Sequence, residues 1–247
     1  SLHPGLYHLG LLDRATAAGA QIFGRTRVTG VARDGADLTV ATERGRIAAR
    51  DVLVATNGYT GPATPWLHRR IIPFNGFMIA TERLSPEVVA RVLPNARTLL
   101  DHAHNIRFMR RAPDGSRILF GGLTGPAEPD LPRKAARLQA LLARIVPDLA
   151  GVRLSHVWTG KCGATTDLYP HIGVRDGIHF ALGYCFAGVP MGTWLGHKSA
   201  LRIQGAADAA TAFDDLPFRP QPLPWANPLL VRLFMAHYDR KDRRSDQ

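Results

Sequence analysis

A chain of 247 residues with 45% hydrophobic and 21% charged positions has an ordinary globular composition, long enough for one large domain or two interleaved ones. No apolar run approaches the roughly 18 residues of a membrane-spanning helix, so that class and a membrane partner are not expected. The formal net charge of +11 raises nucleic acid as a partner, but the basic residues are scattered. Only Arg240-Lys241-Asp242-Arg243-Arg244 forms a cluster, and no recognition motif or aromatic–basic interleaving accompanies it. A solvated basic surface is expected, able to draw in an anionic substrate or cofactor, and nucleic-acid binding is not.

Cys162 and Cys185 cannot build a disulfide framework and form no C-x-x-C pair, which favours a reducing, cytoplasmic location. The chain opens on Ser and runs at once into a predicted helix, so it reads as a fragment in which any leader would be invisible.

In chain order, residues 4–18 predict a helix with Leu6, Leu9, Leu12 and Ala15 along one stripe and Gly19 as the stop. Residues 21–23 predict a short strand; residues 28–33, 37–42 and 45–49 predict a small antiparallel set turning at Asp34-Gly35 and Arg44-Gly45. Residues 51–55 read as an apolar strand buried on both faces. Residues 71–82 predict a long strand, Ser85-Pro86-Glu87 opens a short helix, and residues 106–111 and 117–121 form a hairpin around Pro113-Asp114-Gly115. A helix over 130–146 is capped by Asp130 and stopped by Pro147. Short strands over 155–160, 171–174 and 178–182 precede a helix over 190–203, and the proline-rich stretch after Gly205 reads as a surface strap with a polar tail.

The most telling segment is Gly183-Tyr184-Cys185-Phe186-Ala187-Gly188-Val189-Pro190-Met191-Gly192, a glycine-rich turn between a strand and a helix. Such a turn brings bare backbone N–H groups up to a cofactor. It also reads as a packing seam, because Gly188, Gly192 and Gly196 recur on one helix face. The dinucleotide fingerprint G-x-G-x-x-G is absent from the sequence.

Five stretches, in this order, carry a resemblance: Leu2-His3-Pro4 with its helix into Gly19-Ala20-Gln21-Ile22; Thr26-Arg27-Val28-Thr29; Val52 to Tyr59; Arg110 to Gly115 into Leu119-Phe120-Gly121-Gly122; and Asp167-Leu168-Tyr169-Pro170-His171-Ile172-Gly173 leading to Gly183-Tyr184. The chain resembles the carboxy-terminal two-thirds of the D-amino acid oxidase, glycine oxidase and sarcosine oxidase family, most of all members acting on γ-glutamylputrescine-type amines. The resemblance implies a mixed α/β fold: an incomplete FAD-binding sheet, lacking its amino-terminal Rossmann βαβ, interleaved with an antiparallel substrate-binding sheet. It implies FAD-binding parts at residues 1–65 and 150–205, a substrate-binding part at 66–149 and a carboxy-terminal strap at 206–247. It implies oxidation of the C–N bond of an amine or amino acid by hydride transfer to flavin, with a partner chain as one source of the missing segment. A catalytically incompetent fragment or companion subunit is the alternative.

By the same resemblance, Val28 passes the adenine and Ala55-Thr56-Asn57-Gly58 lies near the pyrophosphate, although Asn-Gly is also a common turn dipeptide. Gly183, Tyr184, Gly188, Val189, Pro190 and Met191 lie against the flavin ring, where a helix N-terminus stabilises the negative charge of reduced flavin. Where many relatives read Gly-His-Gly this chain has Phe186-Ala187-Gly188, so no histidine chemistry is assigned. Arg110 is the candidate grip for a substrate carboxylate; strand alternation puts it and Arg111 on opposite faces, so at most one points inward. Tyr59 is expected to pack, Asp167 to brace the turn into Pro170-His171, and Cys162 to be a buried thiol rather than a covalent flavin link. His102 and His104 lack further ligands, so no metal site is expected.

Overall fold

The computed structural model describes residues 2–35, 37–95 and 97–245, with side chains to 242. In chain order the elements are α1 (Pro4–Ala17), β1 (Val28–Asp34), β2 (Asp37–Thr42), β3 (Gly45–Ala49), β4 (Val52–Val54), α2 (Pro65–His68), β5 (Ile72–Thr81), α3 (Pro86–Val92), β6 (Leu99–Leu100), β7 (Phe108–Arg111), β8 (Ile118–Gly125), α4 (Leu131–Ile145), β9 (Leu154–Ala164), β10 (His171–Arg175), β11 (Ile178–Leu182), α5 (Gly188–Ile203) and α6 (Asn227–Ser245). They divide into two units.

The first unit holds Phe74–Lys161 together with the stretch from Trp225 and the residues Leu2 and His3. Its sheet runs β6-β7-β8-β5-β9. The sequence dictates how α4 starts: the Asp130 carboxylate accepts from the Arg133 N–H at 2.9 Å and Pro132 fills the first turn, where no N–H is needed. Leu138 and Leu142, four apart, then enter a core with Phe77, Ile79, Met109, Ile118 and Phe120. Each fully buried leucine contributes about 1.5–3 kcal/mol. Lys134 on the same helix is buried, yet its ammonium donates to the Leu123 carbonyl at 3.0 Å and lies 4.2 Å from the Phe77 ring centroid. Burial pushes its pKa down.

The second unit holds Pro4–Pro73 and Cys162–Pro224. One sheet is the β1-β2-β3 meander; the other runs β10-β11-β4, with β11 antiparallel to β10 and parallel to β4. Asp176-Gly177, both at positive φ, closes the β10–β11 hairpin. Phe180 and Leu182 pack with Val54, Leu67 and Ile71, while Ile172 and Ala181 pack with Tyr184 and Leu195 of α5.

Among the departures from sequence expectation, four stand out, besides the unexpected α2 and β6 and the longer β8 and β9. Residues 21–23 form no strand; Ile22 and Phe23 stand exposed beside the Arg25 turn with no strand to pair. The strand expected over 51–55 is only Val52–Val54, an edge strand among the described residues, and it is not buried on both faces: Leu53 points to a face that no described residue covers well and is exposed. Helix α5 starts at Gly188, two residues before Pro190. Instead of a strap ending in a polar tail, the chain winds into α6 with its last proline, Pro228, in the first turn, since residues 229–245 contain no helix breaker.

Candidate functional site

The carboxyl ends of the parallel pair β4 and β11 meet in the second unit, the end of a parallel sheet where ligands bind. After β4, Ala55-Thr56 leads into a single 3-10 turn at Asn57–Tyr59, with Asn57 at φ +44°. After β11 comes Gly183 at φ +82°. The Asn57 side chain ties the two together: its Oδ1 accepts the N–H of Gly183 at 3.0 Å and of Tyr184 at 3.3 Å. Asn tolerates the left-handed backbone that aims its amide this way.

The last turn of β9 closes against the same place. Gly163 accepts the Cys185 N–H at 3.1 Å, and a Cβ on Gly163 would stand 2.7 Å from Asn57 Oδ1 and 2.9 Å from the Gly58 nitrogen. A Cβ on Gly183 would meet Thr165 Cγ2 at 2.5 Å. Both glycines are therefore required by contact, and Gly183 by its backbone as well.

Thr165 belongs to a small polar network. Its hydroxyl lies 2.8 Å from both Asp167 Oδ1 and the Tyr169 carbonyl, and Asp167 also accepts from the Tyr169 N–H at 3.2 Å and His171 Nε2 at 3.1 Å. Burial alone would raise the Asp167 pKa, but the hydrogen bonds from Thr165, Tyr169 and His171 hold it below the usual carboxylate range. His171 is buried and stacks on Phe218, centroids 4.1 Å apart. Asp167 thus braces the turn into Pro170-His171, as its position suggests. His171, Thr165 and Gly163 carry no sequence signal of their own; only the spacing Asp167-x-x-x-His171 hints at the pair.

Between β11 and α5 the backbone takes two further left-handed residues that are not glycine, Cys185 at φ +44° and Phe186 at φ +75°. Each such residue costs about 1–2 kcal/mol, and such strain gathers at ligand-facing turns. Helix α5 then begins with no side-chain cap. Its first intrahelical bond is Met191 N–H to Ala187, Pro190 has no N–H, and the Gly188 and Val189 N–H groups point out of the helix end. An uncapped N-terminus favours negative charge in front of it.

The remaining candidates fall into place around this turn or away from it. Tyr184 directs its hydroxyl to the Ala181 carbonyl at 2.7 Å, and burial pushes its pKa up to about 12. Its ring lies 3.7 Å from where Cβ atoms on Gly188 and Gly192 would sit, while Gly196 faces open space; the helix does not need glycine for packing at any of the three. Burial also pushes the Cys185 thiol up, and both cysteines are half-buried. Tyr59, expected to pack, is 66% exposed. Val28 lies at the start of β1, opposite Thr42 in the meander. Arg110 is in the first unit, where its Nη1 donates to the Leu2 carbonyl at 2.8 Å and its Nε to the Arg111 carbonyl at 3.2 Å. Alternation places Met109 and Arg111 on the core side of β7, where Arg111 reaches the Leu93 carbonyl, and Phe108 and Arg110 on the other. On that outer face the Phe108 ring lies across Gly121, where a Cβ would come within 2.2 Å of it. That pairing has no sequence signature.

The family model described as DAO, FAD dependent oxidoreductase, matches residues 1–201. The chain belongs to the DAO family. Among DAO-family relatives, it is 30% identical over 220 residues to the probable oxidoreductase OrdL of Haemophilus influenzae (87% of this chain, 50% of that protein). To the gamma-glutamylputrescine oxidoreductase of Escherichia coli it is 29% identical over 250 residues, 98% of this chain and 57% of the relative. The chain therefore spans about half the length of the curated relatives it matches. Glycine oxidase from Geobacillus kaustophilus has the same fold, with a TM-score of 0.68 at 22% identity over 84% of this chain and 55% of that one. The mixed α/β architecture is accordingly that of the DAO family, whose members are FAD-dependent.

Proposed function

We propose that the chain is the flavin-ring and substrate-sheet portion of an FAD-dependent oxidoreductase that oxidises the C–N bond of an amine or amino acid by hydride transfer to flavin. The observation that carries it is the convergence of Asn57, Gly183 and the uncapped start of α5 at the carboxyl ends of β4 and β11. The bare backbone N–H groups there and the uncapped helix start suit the negative edge of a reduced flavin ring. The residues that would lie against the ring are Gly183, Tyr184 and Gly188 to Met191, with Ala55 to Gly58 toward the pyrophosphate and Val28 toward the adenine. When bound, FAD supplies the electron acceptor for the oxidation. The chain's own part is to position. Asn57 orders the Gly183–Tyr184 backbone, Asp167 and His171 fix the loop beside it, and Arg110 holds a substrate carboxylate after exchanging its carbonyl contacts. The main pyrophosphate contacts and the ribose contacts come from outside these residues, because no G-x-G-x-x-G lies within them; a partner chain is one source.

The visible spectrum of the purified chain tests this reading. Added FAD is expected to give a protein-bound flavin band that bleaches anaerobically with an amine such as γ-glutamylputrescine. A chain that takes up flavin without bleaching, or takes up none, points to the incompetent-fragment or companion-subunit alternative, and bound flavin that bleaches with no amine or amino acid but with another reductant class overturns the assignment.

A further inference from the structure

Helix α6 has a division of charge that the flavin chemistry does not use. With 100° per residue, Val231, Met235, Asp239 and Asp242 form one stripe, and this stripe faces the protein. Val231 is buried; Asp239 accepts from Asn105 Nδ2 at 2.9 Å; Asp242 accepts the backbone N–H of His104 at 2.8 Å and of Asn105 at 3.0 Å, and lies 3.0 Å from His104 Nδ1. Both acidic side chains of the helix up to residue 242 are thus committed inward.

The outward side is the reverse. Trp225, in the turn before the helix, is 81% exposed; Leu229 and Leu233 are 58% and 59% exposed, with Leu230 and Phe234 beside them. The charges flanking that side are cationic: Arg232 and Arg240 are exposed. An exposed tryptophan at the helix entry, an apolar stripe and two exposed arginines make a surface that an anionic bilayer complements at both levels. An isologous pair of two copies would set these cations against one another, which argues against self-association through this face. No helix among the described residues is long and apolar enough to cross a membrane, so the contact is adsorption.

We propose that the outward face of α6 docks on the surface of membranes containing anionic phospholipid. Leu229, Leu233 and Trp225 enter the headgroup boundary, and Arg232 and Arg240 face the lipid phosphates.

The test is flotation of the whole chain with vesicles of phosphatidylcholine alone and of phosphatidylcholine mixed with phosphatidylglycerol. The expected result is binding to the mixed vesicles at least about tenfold stronger than to the neutral ones, weakened by high salt. Leu229→Ser with Leu233→Ser, and separately Arg232→Gln with Arg240→Gln, should each lower that binding about tenfold, with unchanged circular dichroism. These exposed positions carry no core packing, and the paired variants also separate α6 from other exposed apolar residues of the chain. Absence of binding, equal binding to both vesicle types, or variants that bind like the parent would overturn the proposal. So would concentration-dependent dimerisation abolished by the leucine changes, since it would assign the face to a second copy.

Discussion

Asn57 does two jobs with one side chain: it accepts two backbone N–H groups of the opposing turn while its own backbone sits in the left-handed region. Asn57→Ala removes both bonds and leaves a less tolerant residue at φ +44°, so it should cost about 2–3 kcal/mol in denaturant unfolding. Gly183→Ala should cost about as much, from positive φ and from the Thr165 methyl. Adding Thr165→Ser should recover only the steric part, because the backbone strain remains. Asp167 makes a pH prediction. Its folded pKa is depressed, so its stabilisation is present above the unfolded carboxylate value of about 4 and is lost as pH falls through the folded value. Asp167→Asn should therefore flatten the acid limb of a stability-against-pH curve and leave its alkaline limb unchanged. The Gly183 turn was visible in sequence because it unites glycine, a preceding apolar run and a following helix. The role of Gly163 was not, since a lone glycine in Lys161-Cys162-Gly163-Ala164 reveals nothing of the Asn57 side chain that comes against it from more than a hundred positions away.

At the scale of elements, α4 shows how far local signals reach. Its cap, first-turn proline and leucine spacing specify its start, its end and its buried face. Asp130→Ala should cost about 1 kcal/mol through the lost cap, and Leu138→Ala, at a fully buried site, about 2–5 kcal/mol, both read from chemical denaturation. Helix α6 was illegible for the opposite reason. The prolines at 220, 222 and 224 dominate the composition before it, and the inward pull of Asp239 and Asp242 depends on the Asn105 side chain and on backbone amides of a loop far off in sequence. Strand β4 was misread because an apolar run of that length looks the same at an edge as at a centre.

At the scale of the molecule, the described second unit leaves many large apolar side chains in solvent: Leu6, Leu9, Ile22, Phe23, Ile47 and Leu53. Soluble monomers rarely expose so much without a function for it. The native chain is expected to enhance the fluorescence of a hydrophobic dye, and a partner that supplies the pyrophosphate-binding contacts is expected to reduce the signal. The family likeness accounts for the order of the elements, and the Asn57–Gly183 junction accounts for where a flavin ring would rest. The most direct measurement is an absorbance titration of FAD into the parent chain and into Asn57→Ala. The parent should bind flavin and the variant bind it at least about tenfold more weakly, the equivalent of about 1.4 kcal/mol. Equal affinity in both would contradict the placement of the flavin at this turn.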